Sequence, residues 1–428
     1  MNCQFRFLQI KKRSFPQWLS LGVFVLPLLF LGLIDFFKIP SFIKYGIDVM
    51  WVLLLVFMVF SRQINVKKNT APFVVIVALW LIYITIGYIF NYQSVFYYLW
   101  GLRNNFRFYV AFFAFASFLD EDDSNVIFTF TDCLFWINIP VTFFQFFVFG
   151  YKQDYLGGIF GTERGCNAFT MILFVFVVTR SLLLCFQGKE KVVICVLKSG
   201  FSLLLAAMSE LKFFFLVFVI IGLLAMILTK FSWKKMFLLV AFAAVLSFAG
   251  SVLTILFGNN EELTLQRIMQ LITSQNYATN EDLGRFTAIP TISRDFLIEW
   301  HEKLFGMGIG NCDTSAFAIC NTPFYQANEY LHYSWFSSAF LFLETGYIGL
   351  ILNLLFYCMV GFLSIKKMRS GKCNKFFCQM AVIFSIVCVM LTFYNSTLRK
   401  EVGYTAYFVL ALPFISLRDK ESSQQISV

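Results

Sequence analysis

Charge is what this chain has least of. Only 14% of its 428 residues are Asp, Glu, Lys or Arg, against about 25% in soluble globular proteins, so a water-soluble domain is excluded. Strands that alternate polar and apolar residues are missing too, which excludes a membrane-spanning barrel. Histidine occurs only as His301 and His332, and the 11 cysteines include no Cys-x-x-Cys pair and no Cys/His ligand spacing. A sulfur-bound metal is therefore not expected, and neither is a cofactor. No internal repeat divides the chain into similar halves, as happens in many secondary transporters. The 34 Lys and Arg outnumber the 24 Asp and Glu, but they lie in short clusters between apolar runs, so nucleic acid is not the expected partner.

What is present is apolar sequence: 59% of the residues are hydrophobic and 20% aromatic. Runs of about 20 such residues, each long enough to cross a bilayer as a helix, fall near 16–35, 43–60, 72–91, 105–119, 126–149, 167–186, 192–209, 213–229, 236–257, 334–363, 376–394 and 404–417. The expectation is an all-α, polytopic integral membrane protein with about 12 transmembrane helices. It divides into residues 1–257 with spans 1–9, a polar loop over 258–333, and residues 334–428 with spans 10–12 and a short tail. No small-residue cleavage site follows the first apolar run, which is read as a retained span. Alternate connections carry Lys11, Lys12 and Arg13, then Arg62, Lys67 and Lys68, then Lys189 and Lys191, then Lys230, Lys234 and Lys235, then the cluster from Lys366 to Lys375, and finally Arg418 and Lys420. The positive-inside bias makes these cytoplasmic, with both termini, and puts the polar loop outside. The acidic turn Asp120-Glu121-Asp122-Asp123 then lies inside and reads as a solvated turn.

The external connections still carry bases beside the ends of spans: Arg103, Arg107, Arg164, Lys212, Arg285, Arg399 and Lys400. Cations at that depth suit an anionic group at headgroup level, such as a diphosphate; interfacial snorkelling is the plain alternative. Within the loop, Glu261 to Ile272 has the spacing of a short amphipathic helix, and a second is expected after Gly284 with Ile289, Ile292, Phe296, Trp300 and Leu304 on one face. At 100° per residue Arg285 shares that face and points inward, whereas Arg294 and His301 point away. His332 is then the more interesting histidine. Lys198 and Glu344 are the clearest ionisable residues within spans, and Cys312 and Cys320 are candidates for a disulfide in an oxidising compartment.

Several short segments resemble a known family. Leu283-Gly284-Arg285, Phe305-Gly306-Met307-Gly308-Ile309-Gly310-Asn311, His332 and Glu344-Thr345-Gly346-Tyr347-Ile348-Gly349-Leu350 are similar, in order and topology, to the large external loop and following helix of the O-antigen polymerase and ligase superfamily. Gly158 to Arg164 with Asn167, Gly101 to Asn104, and Ser209-Glu210-Leu211-Lys212 match further external segments, with lysine at 212 where the family often has arginine. The likeness covers roughly residues 100–350. It implies a metal-independent membrane glycosyltransferase of the bacterial inner membrane that joins polyprenyl-diphosphate-linked oligosaccharides. Arg285, His332 and Glu344 would be catalytic, and Arg103, Arg164, Lys212 and Arg285 would bind the diphosphate. Membrane lipids, and a chain-length regulator, are the further partners implied. A ligase acting on lipid A core, a flippase or exporter of lipid-linked sugars, and an enzyme using Asp35 as base are the alternatives.

Overall fold

The computed structural model describes residues 13–60, 70–163, 165–229, 282–313, 321–371 and 373–415. Its regular structure among those residues is helical throughout. The first eight α-helices are α1 (Phe15–Phe37), α2 (Gly46–Phe60), α3 (Ala71–Phe90), α4 (Val95–Phe118), α5 (Glu121–Phe147), α6 (Cys166–Phe186), α7 (Val192–Met208) and α8 (Lys212–Leu228). Three short helices follow, α9 (Ala288–Asp295), α10 (Trp300–Phe305) and α11 (Pro323–Asn328), then α12 (Ser337–Ser370), α13 (Lys375–Tyr394) and α14 (Gly403–Ala411). Seven helical segments are long and apolar enough to cross a membrane. Eleven of the twelve expected spans coincide with these helices or with α4, α7, α8 and α14; the ninth, 236–257, lies outside the described residues, as does the amphipathic segment 261–272. The fourth starts ten residues before the expected position, because helix α4 carries Arg103, Asn104, Asn105 and Arg107 near its middle, and those side chains mask the apolar run.

Contacts sort the helix ends into two faces. At one, Arg13 meets Asp123 at 2.7 Å, Asn374 donates to Glu121 at 2.8 Å, Gln379 to the Leu228 carbonyl at 2.6 Å, and Lys367 to that of Pro413 at 2.8 Å. At the other, Asp35 accepts from Thr162, Arg103 from α4 reaches Asp48, and Ser209 donates to the Leu156 carbonyl. Successive helices therefore run alternately between the faces, and the described part of the polar loop, 282–313 and 321–336, belongs to the second. The acidic turn is not simply solvated. Asp120 caps α5 by accepting from the Asp123 N–H at 3.0 Å, while the Asp123 carboxylate is buried against Arg13 and Gln17.

Lipid tails are as apolar as leucine, so helices associate in a bilayer through close packing rather than water exclusion. Phenylalanine supplies that packing here. Phe112 meets Phe73 edge-on at 5.1 Å and Phe356 at 5.1 Å, and Phe73 meets Phe414 at 5.0 Å. A second, separate core joins Leu283, Ala288, Ile292, Leu297, Leu331 and Tyr333 of the loop to the first turns of α12. The division has a local cause. Helix α12 is broken at Gly346, whose φ of 61° and ψ of −166° lie in a region only glycine occupies readily.

Candidate functional site

The break at Gly346 releases the carbonyls of Leu343, Glu344 and Thr345 from helical pairing, and each finds a new donor, as buried backbone in a membrane must. Leu343 accepts from the Met307 N–H at 2.8 Å and Glu344 from Gly308 at 3.0 Å, while Thr345 accepts from the Tyr83 hydroxyl at 3.0 Å. The strap Leu304–Asp313 is thereby pinned to α12 on one side. On the other it lies against α3 and α4: Gln93 donates to the Ile309 carbonyl, and Phe305 stacks on Tyr83 at 5.1 Å. Gly310, at φ 84°, has no room for a side chain because the Tyr97 carbonyl and the Gly101 backbone occupy its place. The Gly-x-Gly-x-Gly segment, the Glu-Thr-Gly segment and Gly101, noted separately in the sequence, thus form one interlocked structure. It packs backbone on backbone.

Glu344 stands behind this strap, 1% exposed. One carboxylate oxygen accepts from the Cys312 N–H at 3.2 Å, and the other is buried without a hydrogen-bond partner. Its charged neighbours are Asp313 and Arg399 rather than Arg285. Cys312 is a free, buried thiol, which removes the expected bridge to Cys320, itself outside the described residues. Burial, with Glu344 and Asp313 near, pushes that thiol well above its ordinary range. A disulfide instead joins Cys373 and Cys378 at the start of α13.

The long amphipathic helix expected after Gly284 is two short ones. Helix α9 ends at Asp295, and α10 starts after Glu299, which caps it with Glu302 in a reciprocal box. Ile292 is buried as expected, with Ile289 and Phe296 packed against the same core, but Trp300 is 70% exposed. Arg294 is exposed and paired with its neighbour Asp295 at 2.6 Å. Arg285 precedes α9 and does turn inward: its guanidinium lies 3.8 Å from the ring centre of Tyr394. Phe213 stacks on the same ring at 3.7 Å, so Tyr394 is held between them, and Lys212, the residue before Phe213, opens α8 beside this stack. Lys212 itself pairs with Glu210 at 3.0 Å.

His332 adopts a left-handed conformation, φ 54°, with its ring edge-on to Trp335 at 4.0 Å. Its Nδ1 lies 2.7 Å from the Tyr330 carbonyl oxygen. A carbonyl only accepts, so Nδ1 is the donor in this contact.

Arg103 and Arg107 are engaged with carboxylates. Arg103 is paired with Asp48 through two nitrogens and lies over Tyr45 and Trp100. Arg107, 4% exposed, meets Glu401 at 3.4 Å and donates to the Arg399 carbonyl at 3.2 Å. Asn104 donates to Asp313, whose other oxygen is 3.8 Å from Arg399. Burial pushes Glu401 up, but Arg107 and Lys44 outweigh it and leave that carboxyl below its ordinary value. Burial pulls Arg399 and Lys400 down. Asp35 accepts from both the N–H and the hydroxyl of Thr162, at 2.6 and 2.9 Å, and so ties the segment around Gly161 to α1. Arg164 lies outside the described residues. Sequence reasoning missed Asp48, Asp313, Glu401 and Tyr394. The visible signal was the charged triplet Arg399-Lys400-Glu401 in the short turn between two apolar runs.

No model of a known protein family matches this chain, and no curated protein is detectably similar to it.

Proposed function

We propose that this chain is a bacterial inner-membrane glycosyltransferase that polymerises polyprenyl-diphosphate-linked oligosaccharide repeat units. It crosses the membrane twelve times, with both termini in the cytoplasm and residues 258–333 in the periplasm. The basic clusters support that orientation. The observation that carries the reading is the Tyr394 stack. Arg285 from the loop and Phe213, next to Lys212 at the start of α8, meet on one aromatic ring at the loop-side end of α13, an arrangement that suits a lipid diphosphate held at headgroup level.

In the reaction, the acceptor sugar hydroxyl attacks the anomeric carbon of the donor, the bond from that carbon to the diphosphate oxygen breaks, and the diphosphate leaves on its lipid. Arg285 stabilises the charge that develops on the leaving group through its planar pair of donors, with Lys212 adding positive potential. Nε2 of His332 takes the proton of the acceptor hydroxyl. Glu344, enclosed behind the strap, positions the loop and touches no substrate. A ligase would use the same donor site and differ only in its acceptor.

The transport reading has less support. Lys198, Arg180 and Asp132 of the spans and Glu190 of the turn before α7 form an internally neutral quartet, with Lys198 at 3.1 Å from Asp132 and 2.8 Å from Glu190. Its charges are spent on one another. The test is extension of lipid-linked repeats by the purified protein in detergent. Arg285→Lys should lose most of the activity while inserting normally, and exposed Arg294→Ala should keep it. Transfer of the lipid between leaflets without extension would sink the enzyme reading.

A further inference from the structure

Among the described residues of this face, the guanidinium of Arg399 makes an ion pair but no hydrogen bond. Its side chain is 18% exposed, and the nearest carboxylate oxygen, on Asp313, is 3.8 Å away, within ion-pair range but beyond hydrogen-bond reach. Among the described residues the side chain donates no hydrogen bond; its other close contact is the face of Phe340, 3.0 Å from the guanidinium carbon to the ring centre. A buried guanidinium with five donors and no acceptor is costly. The group does have an outlet. A narrow cleft opens beside it, lined in part by polar groups of Asn105, Ser337, Asn353 and Thr392 and in part by apolar side chains such as Phe108 and Leu341. Arg107 holds the Arg399 carbonyl from behind, which fixes the turn, and Asn104 holds Asp313 in front.

From this geometry we propose that Arg399 is an oxyanion-binding residue, that its ligand is the phosphate group of a membrane-embedded lipid, and that Asp313 is the internal carboxylate the phosphate displaces. The chemistry fits: guanidinium matches two oxygens of a phosphate in a planar fork, and the 3.8 Å separation from Asp313 is a pairing that a better acceptor replaces. The proposal takes from the functional reading above only the expectation that a phosphate-bearing lipid is at hand. That lipid is either the diphosphate-linked substrate or an ordinary phospholipid.

The experiment measures binding to the purified full-length protein in detergent by native mass spectrometry, with geranylgeranyl diphosphate and dioleoyl phosphatidylglycerol as probes. Arg399→Gln should weaken binding about tenfold or more, as loss of charge-assisted hydrogen bonds implies, and Arg399→Lys should weaken it less. Asp313→Asn should tighten binding several-fold, because the amide keeps the contact to Asn104 but no longer competes for the guanidinium. A gain of that kind cannot arise from misfolding. If Arg399→Gln and Asp313→Asn weaken binding alike, or neither alters it, the two residues are a structural pair and the proposal is wrong. Preference for the diphosphate assigns the anion to the substrate, whereas equal dependence of both probes on Arg399 assigns it to lipid headgroups in general. If binding follows Arg399 while wild-type protein extends no repeat units, the site stands and the polymerase reading falls. If wild type polymerises and Arg399→Gln binds both probes normally, the site falls and the polymerase reading stands.

Discussion

Gly346→Ala tests whether the strap is held by the break in α12. At φ 61° and ψ −166° an alanine pays roughly 1–3 kcal/mol in backbone strain. Its Cβ would also fall on the Leu304 carbonyl, with the Lys303 carbonyl 2.5 Å away. Both are backbone atoms that cannot swing aside, and overpacking of that kind costs about 1–3 kcal/mol more. Taking roughly 3 kcal/mol as the total, with 1.4 kcal/mol per factor of ten, the opening of the strap becomes on the order of 100-fold more frequent. Cys312 reports that opening. It is fully buried, its N–H is held by Glu344, and burial keeps its thiol protonated. In a background without the exposed Cys133 and Cys358, alkylation of Cys312 at pH 8 should be about 100-fold faster in Gly346→Ala than in wild type. Gly46→Ala is the control, since Gly46 has helical dihedrals and nothing near its Cβ position. A Gly346→Ala rate within threefold of wild type would refute the argument.

Arg103→Ala and Asp48→Ala should each lower stability by about 2 kcal/mol, between the values for exposed and buried pairs, and the double variant should recover part of that loss. Diphosphate affinity should stay near wild type in Arg103→Ala, measured alongside the melting temperature, because this guanidinium is already committed to Asp48. His332→Ala should slow repeat-unit extension by about 100-fold, within the range for a lost general base, without changing donor binding; weakened donor binding at an unchanged rate would reassign the residue. An alkaline phosphatase fusion should be active after Thr279 and inactive after Lys372.

The helices were legible because each is a nearly unbroken apolar run, and such a run has few ways to satisfy its backbone in lipid other than as a helix. Pairing was not legible. Asp48 and Arg103 are 55 residues apart, and Arg107 and Glu401 are 294 apart, so four charges that read as two free arginines and two carboxylates become two ion pairs only when α2, α4 and the turn before α14 come together. Arg285 was placed inward by extending one helix from Gly284 to Leu304, and that helix does not exist. The side chain points inward all the same, because buried Leu283 and Ala288 on either side anchor the turn in the second core. The acidic turn at Asp120 was misread because Arg13, its partner, lies in a cluster that seemed fully accounted for by topology.

The bases on the loop-side face are not equivalent, and the difference follows from what each one neutralises. Arg103 and Arg107 each donate hydrogen bonds to a carboxylate on the bundle or its turns, and a cation so placed gains little by meeting a phosphate, since the carboxylate it abandons loses those bonds. Arg399 stands 3.8 Å from its carboxylate, beyond hydrogen-bond reach, and it rests on Phe340 as Arg285 rests on Tyr394, contacts that stabilise a cation without consuming its hydrogen-bond donors. Both are also tied to one short stretch of chain. Tyr394 carries Arg285, the Asn395 carbonyl accepts the first N–H of α12 from Ser337 at 3.0 Å, and Arg399 follows four residues later. The segment from Tyr394 to Glu401, with two bases and one acid in its last three residues, is therefore the part of the site that sets where the Arg285 and Arg399 guanidinium groups stand. A substitution that moves this turn, such as Asn395→Ala with its loss of the side-chain bond to the Thr397 N–H at 3.0 Å, should weaken phosphate-lipid binding more than it lowers the melting temperature. The opposite ranking would mean that the turn supports the bundle and not the site.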